Sequence, residues 1–191
     1  MTDVMTLPND LPVPVDDGAC DHLHGLALPS VLLKATDGSL VDLAALPGLS
    51  VVYAYPRTGA PGQTPGADWN LIPGARGCTP QSCGFRDHHA ELQRFGARVF
   101  GLSTQSTEYQ REAVERLHLP FPLLSDAELR LTEALNLPAF EYDGMTLIKR
   151  LTLFVREGWI DDVIYPVFPP DQSANQVLDW LARHDQDDAG S

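Results

Sequence analysis

The sequence is short of positive charge: 13 Lys and Arg stand against 26 Asp and Glu, a formal net charge of −13. A surface field of that sign repels phosphate backbones and anionic bilayers, so nucleic acid and membrane surfaces are not expected partners. Long apolar runs are missing too. Nothing approaches the ~20 uninterrupted apolar residues a membrane span needs, and residues 1–17 carry acid and proline where a secretory leader has a basic end and an apolar middle. Cysteine is scarce, with three in 191 residues, too few for a disulfide framework in a chain of this length. These shortages predict a soluble cytoplasmic protein whose cysteines matter for their placement rather than their number.

What is present suits one globular domain: 43% hydrophobic and 20% charged residues over a length that fits a single core. Residues 1–21 hold Pro8, Pro12 and Pro14 among Asp10, Asp16, Asp17 and Asp21 and read as a flexible N-terminal arm. Residues 22–185 form the domain, and 186–191 an acidic tail. Inside the domain, residues 31–33 and 39–43 flank the turn signal Thr36-Asp37-Gly38 as a hairpin. Residues 50–55 form the apolar run of a buried central strand. Five glycines and three prolines then punctuate residues 57–77, which predicts a long loop.

Thr79-Pro80 has the form of a cap followed by proline at the first helical position, and Phe85, His89, Leu92 and Phe95 recur at helical spacing, so a helix is expected over 80–95. Strand 98–103, helix 107–117, strand 121–124 and helix 125–135 follow in alternation, a rhythm that favours parallel pairing. A second hairpin joins 149–155 to 159–165 across Arg156-Glu157-Gly158, and Ser173 caps a last helix running to about His184. The expected fold class is α/β, a three-layer sandwich with a mixed central sheet covered by helices on both faces.

Cys78 stands at the start of the predicted 80–95 helix. Unpaired amides and the positive end of the helix dipole favour an anion there, and the thiolate is the nucleophilic form of cysteine. Cys83 lies five residues on. An intact helix would rotate it by ~500° and raise it by ~7.5 Å, a separation no disulfide spans. A bond between the two therefore requires the first turns to unwind, which frayed helix ends permit at low cost.

At Tyr55-Pro56, and again from Gly77-Cys78-Thr79-Pro80-Gln81-Ser82-Cys83 through Gly84-Phe85-Arg86-Asp87, the sequence resembles the active site of the peroxiredoxins, specifically the peroxiredoxin Q or bacterioferritin comigratory protein subfamily. Pro122-Leu123-Leu124-Ser125-Asp126 and Arg150-Leu151-Thr152-Leu153-Phe154-Val155 extend the match over about residues 27–184. The resemblance implies a thioredoxin-like fold and a thiol-dependent peroxidase acting on hydrogen peroxide or organic hydroperoxides. It makes Cys78 the peroxidatic cysteine, Cys83 the resolving cysteine that closes a Cys78–Cys83 disulfide, Arg150 the cation that stabilises thiolate and peroxide, and Pro56 a shield over the sulfur. It implies a thioredoxin-like reductant, no metal or organic cofactor, and a monomer or homodimer.

The chain departs from the family's Pro-x-x-x-Thr-x-x-Cys pattern. Cys78 follows Pro56 by 22 residues rather than seven, and Ala75 occupies the place of the peroxide-binding threonine. Thr58 and Thr64 are the candidates to replace that hydroxyl. Trp69, Leu71 and Ile72 in the inserted stretch suit an apolar lid or a subunit contact, and Tyr142-Asp143-Gly144 with Phe168-Pro169-Pro170 suit turns at a dimer contact.

Competing readings exist. A peroxide-responsive sensor with slow turnover would use the same two cysteines. Cys78, Cys83 and either His88 or His89 suggest a metal-binding module, but adjacent helical positions diverge by ~100° and no fourth ligand is evident. A general disulfide oxidoreductase ranks lower, because the cysteines are spaced too widely for its motif. Arg86 and Asp87 read as a structural surface pair, and Cys20, beside His22 and His24, as an incidental free cysteine.

Overall fold

A computed structural model describes residues 5–189. The first four residues of the expected arm and residues 190–191 of the expected tail lie outside the described residues. The predicted hairpin forms as β1 (Leu32–Ala35) and β2 (Leu40–Asp42). The apolar run becomes β3 (Leu49–Ala54), in which all six residues are buried. The chain then builds α1 (Cys78–Asp87), α2 (His89–Arg94), β4 (Ala97–Ser103), α3 (Thr107–Leu117) and β5 (Leu123–Ser125). After these come α4 (Arg130–Ala134), a hairpin of β6 (Ala139–Tyr142) and β7 (Met145–Ile148), β8 (Leu151–Arg156), β9 (Trp159–Ile164) and α5 (Ser173–Ala189).

Seven strands form one sheet in the order β2-β1-β5-β4-β3-β8-β9. The pairs β3–β4 and β4–β5 are parallel, as the alternation of strand and helix predicts, while β3–β8, β8–β9, β1–β2 and β1–β5 are antiparallel. Side chains alternate across a strand, and β3 feeds a core on each face. Val52 and Ala54 join Leu124, Leu131 and Ile148 on one side. Leu49, Val51, Tyr53 and Tyr55 join Cys78, Phe85, Leu92, Ala113 and Trp180 on the other. Helices α1, α2, α3 and α5 cover this second face.

Three elements differ from expectation for identifiable reasons. The single helix over 80–95 is two helices separated at His88, whose backbone leaves the helical region (φ −99°, ψ 8°) and whose Nδ1 lies 3.0 Å from Glu91 Oε1. The first of them starts at Cys78 rather than after Thr79, because Gly77 takes the cap position at φ +108°. The helix over 125–135 shrinks to Arg130–Ala134. The buried Asp126 carboxylate accepts from the amides of Leu131 (3.1 Å) and Thr132 (2.8 Å), a side-chain alternative to an earlier helical turn.

The β6–β7 hairpin was not anticipated as strands. Its turn residues Asp143 (φ 53°) and Gly144 (φ 72°) both take positive φ, the type I′ geometry that an Asp-Gly pair favours. The arm lies against the body from residue 5. Asp17 accepts from Tyr165 Oη at 2.9 Å and sits 3.5 Å from Lys149 Nζ, and Cys20 is buried in the same core as Leu23. Among the described residues no helix is long and apolar enough to cross a membrane.

Candidate active site

The sheet register assembles the site. In the antiparallel pairing of β3 with β8, Ala54 faces Leu151, so one further step sets Tyr55 beside Arg150, just past the ends of the two strands. Pro56 follows, buried, and α1 begins on the same face. Two positions hold α1 close to the start of α5. A Cβ on Gly77 would stand 2.6 Å from Pro170 Cγ, and one on Gly84 would touch the backbone of Asp171.

Cys78 is the first residue of α1, and no side chain caps the amides of that turn. Its sulfur is buried among Tyr53, Tyr55 and Phe85. Arg150 Nη2 donates to it at 3.2 Å and also reaches the carbonyls of Ala75 and Arg76, each at 3.2 Å. Arg150 Nη1 donates to Gln81 Oε1, and Gln81 Nε2 donates to Ser173 Oγ at 3.1 Å. A guanidinium buried without an anion is costly unless its donors are satisfied. Here two carbonyls and an amide satisfy most of them, while Nε has no partner among the described residues. The remaining electrostatic demand falls on the sulfur, where the cation stabilises negative charge.

Cys83 lies in the same ten-residue helix, so its sulfur is carried away from that of Cys78 by more than a turn. All three cysteines are free thiols. Cys83 Sγ rests 3.9 Å from Met5 Sδ, and burial pushes its thiol above the ordinary value, with Arg86 opposing and Asp87 adding to the shift. Burial, joined by Asp17, Asp16 and Asp21, pushes Cys20 up to about 12. Neither of these thiols sits beside a comparable guanidinium, so the geometry singles out Cys78 for nucleophilic chemistry.

The register of the inserted loop has consequences at Ala75. A carbonyl stands where a hydroxyl was sought: Ala75 O lies 3.7 Å from Cys78 Sγ and accepts from Arg150. Thr58 is buried and engaged by Gln105, which accepts from its amide at 3.0 Å and donates to its carbonyl at 3.1 Å. Thr64 is exposed. No described contact brings either threonine to the sulfur.

The loop itself is not a simple lid. Trp69 turns inward against Ala75 and Leu147, with Tyr142 edge-on at 4.8 Å, while Leu71 is exposed. Arg57 stacks over Trp69 and Tyr142, its guanidinium carbon 4.8 and 5.0 Å from the ring centres. The cleft between loop and hairpin, about 770 Å³, is lined by neither cysteine nor Arg150. The expected turn at Tyr142-Asp143-Gly144 is thus the tip of a hairpin that covers Trp69. Pro170 of the second expected turn is buried against Gly77.

Sequence reasoning singled out Cys78, Cys83, Arg150 and Pro56, and the fold gathers Cys78 and Arg150 into direct contact. Pro56 ends up buried at the end of β3 with no described contact to the sulfur. Gln81 was missed. Its signal was a polar residue three positions after Cys78 on a helix whose other faces are buried, legible only once α1 is known to be covered on both sides. Of the two histidines, His89 packs against Phe121 at 5.6 Å and His88 meets Glu91. Among the described residues, no group of three His, Cys, Asp or Glu is placed to hold a metal.

Comparison with known proteins gives a consistent result. Residues 23–178 match the Redoxin family. Peroxiredoxin Q, chloroplastic, from Populus jackii is 30% identical over 159 residues, which are 82% of this chain and 67% of the relative. Peroxiredoxin Bcp from Escherichia coli (strain K12) is 29% identical over 163 residues, 82% of this chain and 93% of the relative. Among solved structures, peroxidoxin BcpB from Mycobacterium tuberculosis superposes with a TM-score of 0.68 at 25% identity, covering 84% of this chain and 97% of that one.

Proposed function

Because the chain belongs to the redoxin family, with the thioredoxin-like fold of the peroxiredoxins and their thiol-dependent peroxidase activity, we propose that Cys78 is its peroxidatic cysteine and Cys83 its resolving cysteine. Peroxiredoxins act on peroxides and draw electrons from thioredoxin-type dithiols. The observation that carries the assignment is the 3.2 Å contact between Arg150 Nη2 and Cys78 Sγ. The Cys78 thiolate attacks one peroxide oxygen, the O–O bond breaks, and the other oxygen leaves as alkoxide or hydroxide that takes up a proton. Arg150 stabilises charge as it moves from sulfur to the leaving oxygen, and the shielding role of Pro56 rests on its burial at the end of β3.

Cys78 is left as a sulfenic acid. Its condensation with the Cys83 thiol forms the disulfide and releases water, and a thioredoxin-like dithiol restores both thiols by exchange. Since both cysteines belong to one helix, the first turns of α1 unwind at this step. The break at His88 makes α1 a short unit, which limits the unwinding to one element. We place the protein in the cytoplasm, where free thiols persist, as a monomer or homodimer.

Hydrogen peroxide consumption under thioredoxin recycling tests the assignment, with intact mass read after one equivalent of peroxide. Cys78→Ser is expected to be inactive. Cys83→Ser is expected to react once and accumulate sulfenic acid, and activity retained in Cys78→Ser would overturn the reading. The carbonyl at Ala75 in place of a hydroxyl favours a second reading, a peroxide sensor whose disulfide forms readily and turns over slowly. Rapid oxidation with negligible steady-state turnover would select it.

A further inference from the structure

The N-terminal segment lies along the stretch of chain that carries the two reactive cysteines, and it runs in the opposite direction. Met5 Sδ is 3.9 Å from Cys83 Sγ. Leu7 Cδ2 stands 3.1 Å from where a Cβ of Gly77 would be, and Pro14 lies 3.7 Å from the corresponding point on Gly74. Residue numbers rise along the segment while those of its partners fall, from Cys83 through the cap of α1 to the loop before it. Behind these contacts the segment is anchored. Asp17 bonds Tyr165 and lies 3.5 Å from Lys149, and Cys20 is buried in the core.

Met5 and Leu7 therefore touch the two ends of the stretch that has to move. Attack on peroxide uses α1 in its folded form, with Cys78 at the first turn and Arg150 beside it. Condensation with Cys83 uses α1 unwound, and the Cys83 side chain, 4% exposed, must leave its cover. The segment is part of that cover. A contact made in one of two conformations and lost in the other shifts the balance between them by its whole worth. Leu7 is half-buried against the helix cap, and Met5, 47% exposed, keeps its sulfur on the Cys83 thiol. Neither residue reaches Cys78 or Arg150 in any described contact, so the first chemical step makes no use of them.

We propose that Met5 and Leu7 are positioning residues for the resolving step: the N-terminal segment straps α1 in its folded form, slows closure of the Cys78–Cys83 disulfide and so prolongs the life of the Cys78 sulfenic acid. The proposal rests on the peroxidase reading above and extends it to the control of that cycle. A sulfenic acid that waits can meet a second peroxide. Its sulfur then attacks one peroxide oxygen, the O–O bond breaks, and the products are a sulfinic acid at Cys78 and water or an alcohol. The strap thus sets how the intermediate divides between the disulfide, which a dithiol reverses, and the sulfinic acid, which a dithiol does not.

The test follows both steps separately in wild type, in Met5→Ser/Leu7→Ser and in Val15→Ser, whose side chain is on the same segment but 80% exposed. One equivalent of hydrogen peroxide is added, and quenched samples are read by intact mass for sulfenic acid and disulfide. Loss of apolar contact on the order of one or two methylenes predicts that the double variant closes the disulfide about five- to tenfold faster. Its rate of Cys78 oxidation is expected to match wild type, which also verifies that the active site is folded. Under thioredoxin recycling at high peroxide, its sulfinic fraction per turnover falls by a similar factor. Val15→Ser is expected to change neither step. Disulfide closure in the double variant at or below the wild-type rate overturns the strap and leaves the peroxidase reading intact. A wild type whose Cys78 is not oxidised by peroxide overturns that reading and the strap with it.

Discussion

Arg150 and Cys78, 72 residues apart in the chain, meet with Nη2 3.2 Å from Sγ, and the same nitrogen holds the carbonyls of Ala75 and Arg76. Replacing Arg150 by Met is expected to slow the reaction of Cys78 with peroxide by about 10²–10³-fold, the usual effect of removing one preorganised donor from a site of charge development. Arg150→Lys is not expected to restore the rate, because a single ammonium cannot serve sulfur, two carbonyls and Gln81 at once. Stopped-flow tryptophan fluorescence under single-turnover conditions reads the rate. A Lys variant at the wild-type rate would show that charge alone suffices.

Gln81 joins the Arg150 guanidinium to Ser173 at the start of α5. Gln81→Leu leaves a buried charged donor without its acceptor and is expected to cost about 1–3 kcal/mol of stability, seen as a lower urea midpoint. It should also slow oxidation of Cys78 by loosening the cation that faces it. Gln81→Glu, which keeps an acceptor for Arg150, is expected to retain the rate. If Gln81→Leu loses stability but oxidises at the wild-type rate, the role of Gln81 is confined to the fold.

At Gly77, φ is +108° and a Cβ would stand 2.6 Å from Pro170 Cγ and 2.8 Å from its Cβ. Gly77→Ala combines backbone strain with a collision at the cap of the catalytic helix, and a loss of roughly 2 kcal/mol or more follows. Gly38→Ala is the control, with φ +89° and nothing within 4 Å of the added carbon. Thermal unfolding should place Gly77→Ala clearly below it. Equal shifts would mean that α1 moves away from Pro170 without penalty.

Burial raises the thiol of Cys83 above its ordinary value and that of Cys20 to about 12. In the unfolded chain both ionise near 8.5, so their contribution to stability is fully present below that pH. It is lost progressively as pH rises toward 12, because the unfolded state releases its protons first. Urea midpoints followed from pH 8 to pH 11 are expected to fall, and less steeply in Cys20→Ala. Mapping of iodoacetamide adducts at pH 7.5 should find Cys78 labelled before Cys83 and Cys20. Cys20 labelled first would contradict its burial.

Much of the chain was legible from local pattern. The unbroken apolar run of β3, the helix α3 over Thr107–Leu117, and the hairpin of β8 and β9 all appear where spacing and turn residues put them. Misreadings arose where a distant or unusual partner replaced the local rule. The Asp126 side chain took the amides that a longer α4 would have used. Asp143-Gly144 was read as a turn, but the strands either side were not, since their pairing is stabilised by Trp69 from the inserted loop. The segment read as a loose arm is composed like one, yet Met5, Pro14, Asp17 and Cys20 each meet a residue from elsewhere in the fold.

The sequence by itself determined the chemistry available: a cysteine at a helix start, a second one five residues on, and the motif around them. Helix capping, strand alternation and turn formation act over a few residues, so they leave a readable record in the order of side chains. Tertiary structure alone decided what surrounds the sulfur. The step from Ala54↔Leu151 to Tyr55 beside Arg150 depends on strand register, which packing across the whole sheet fixes. The carbonyl of Ala75, the bridge through Gln81 and the N-terminal segment along α1 follow from where long loops come to rest, and those positions are set by contacts among residues that no local pattern relates.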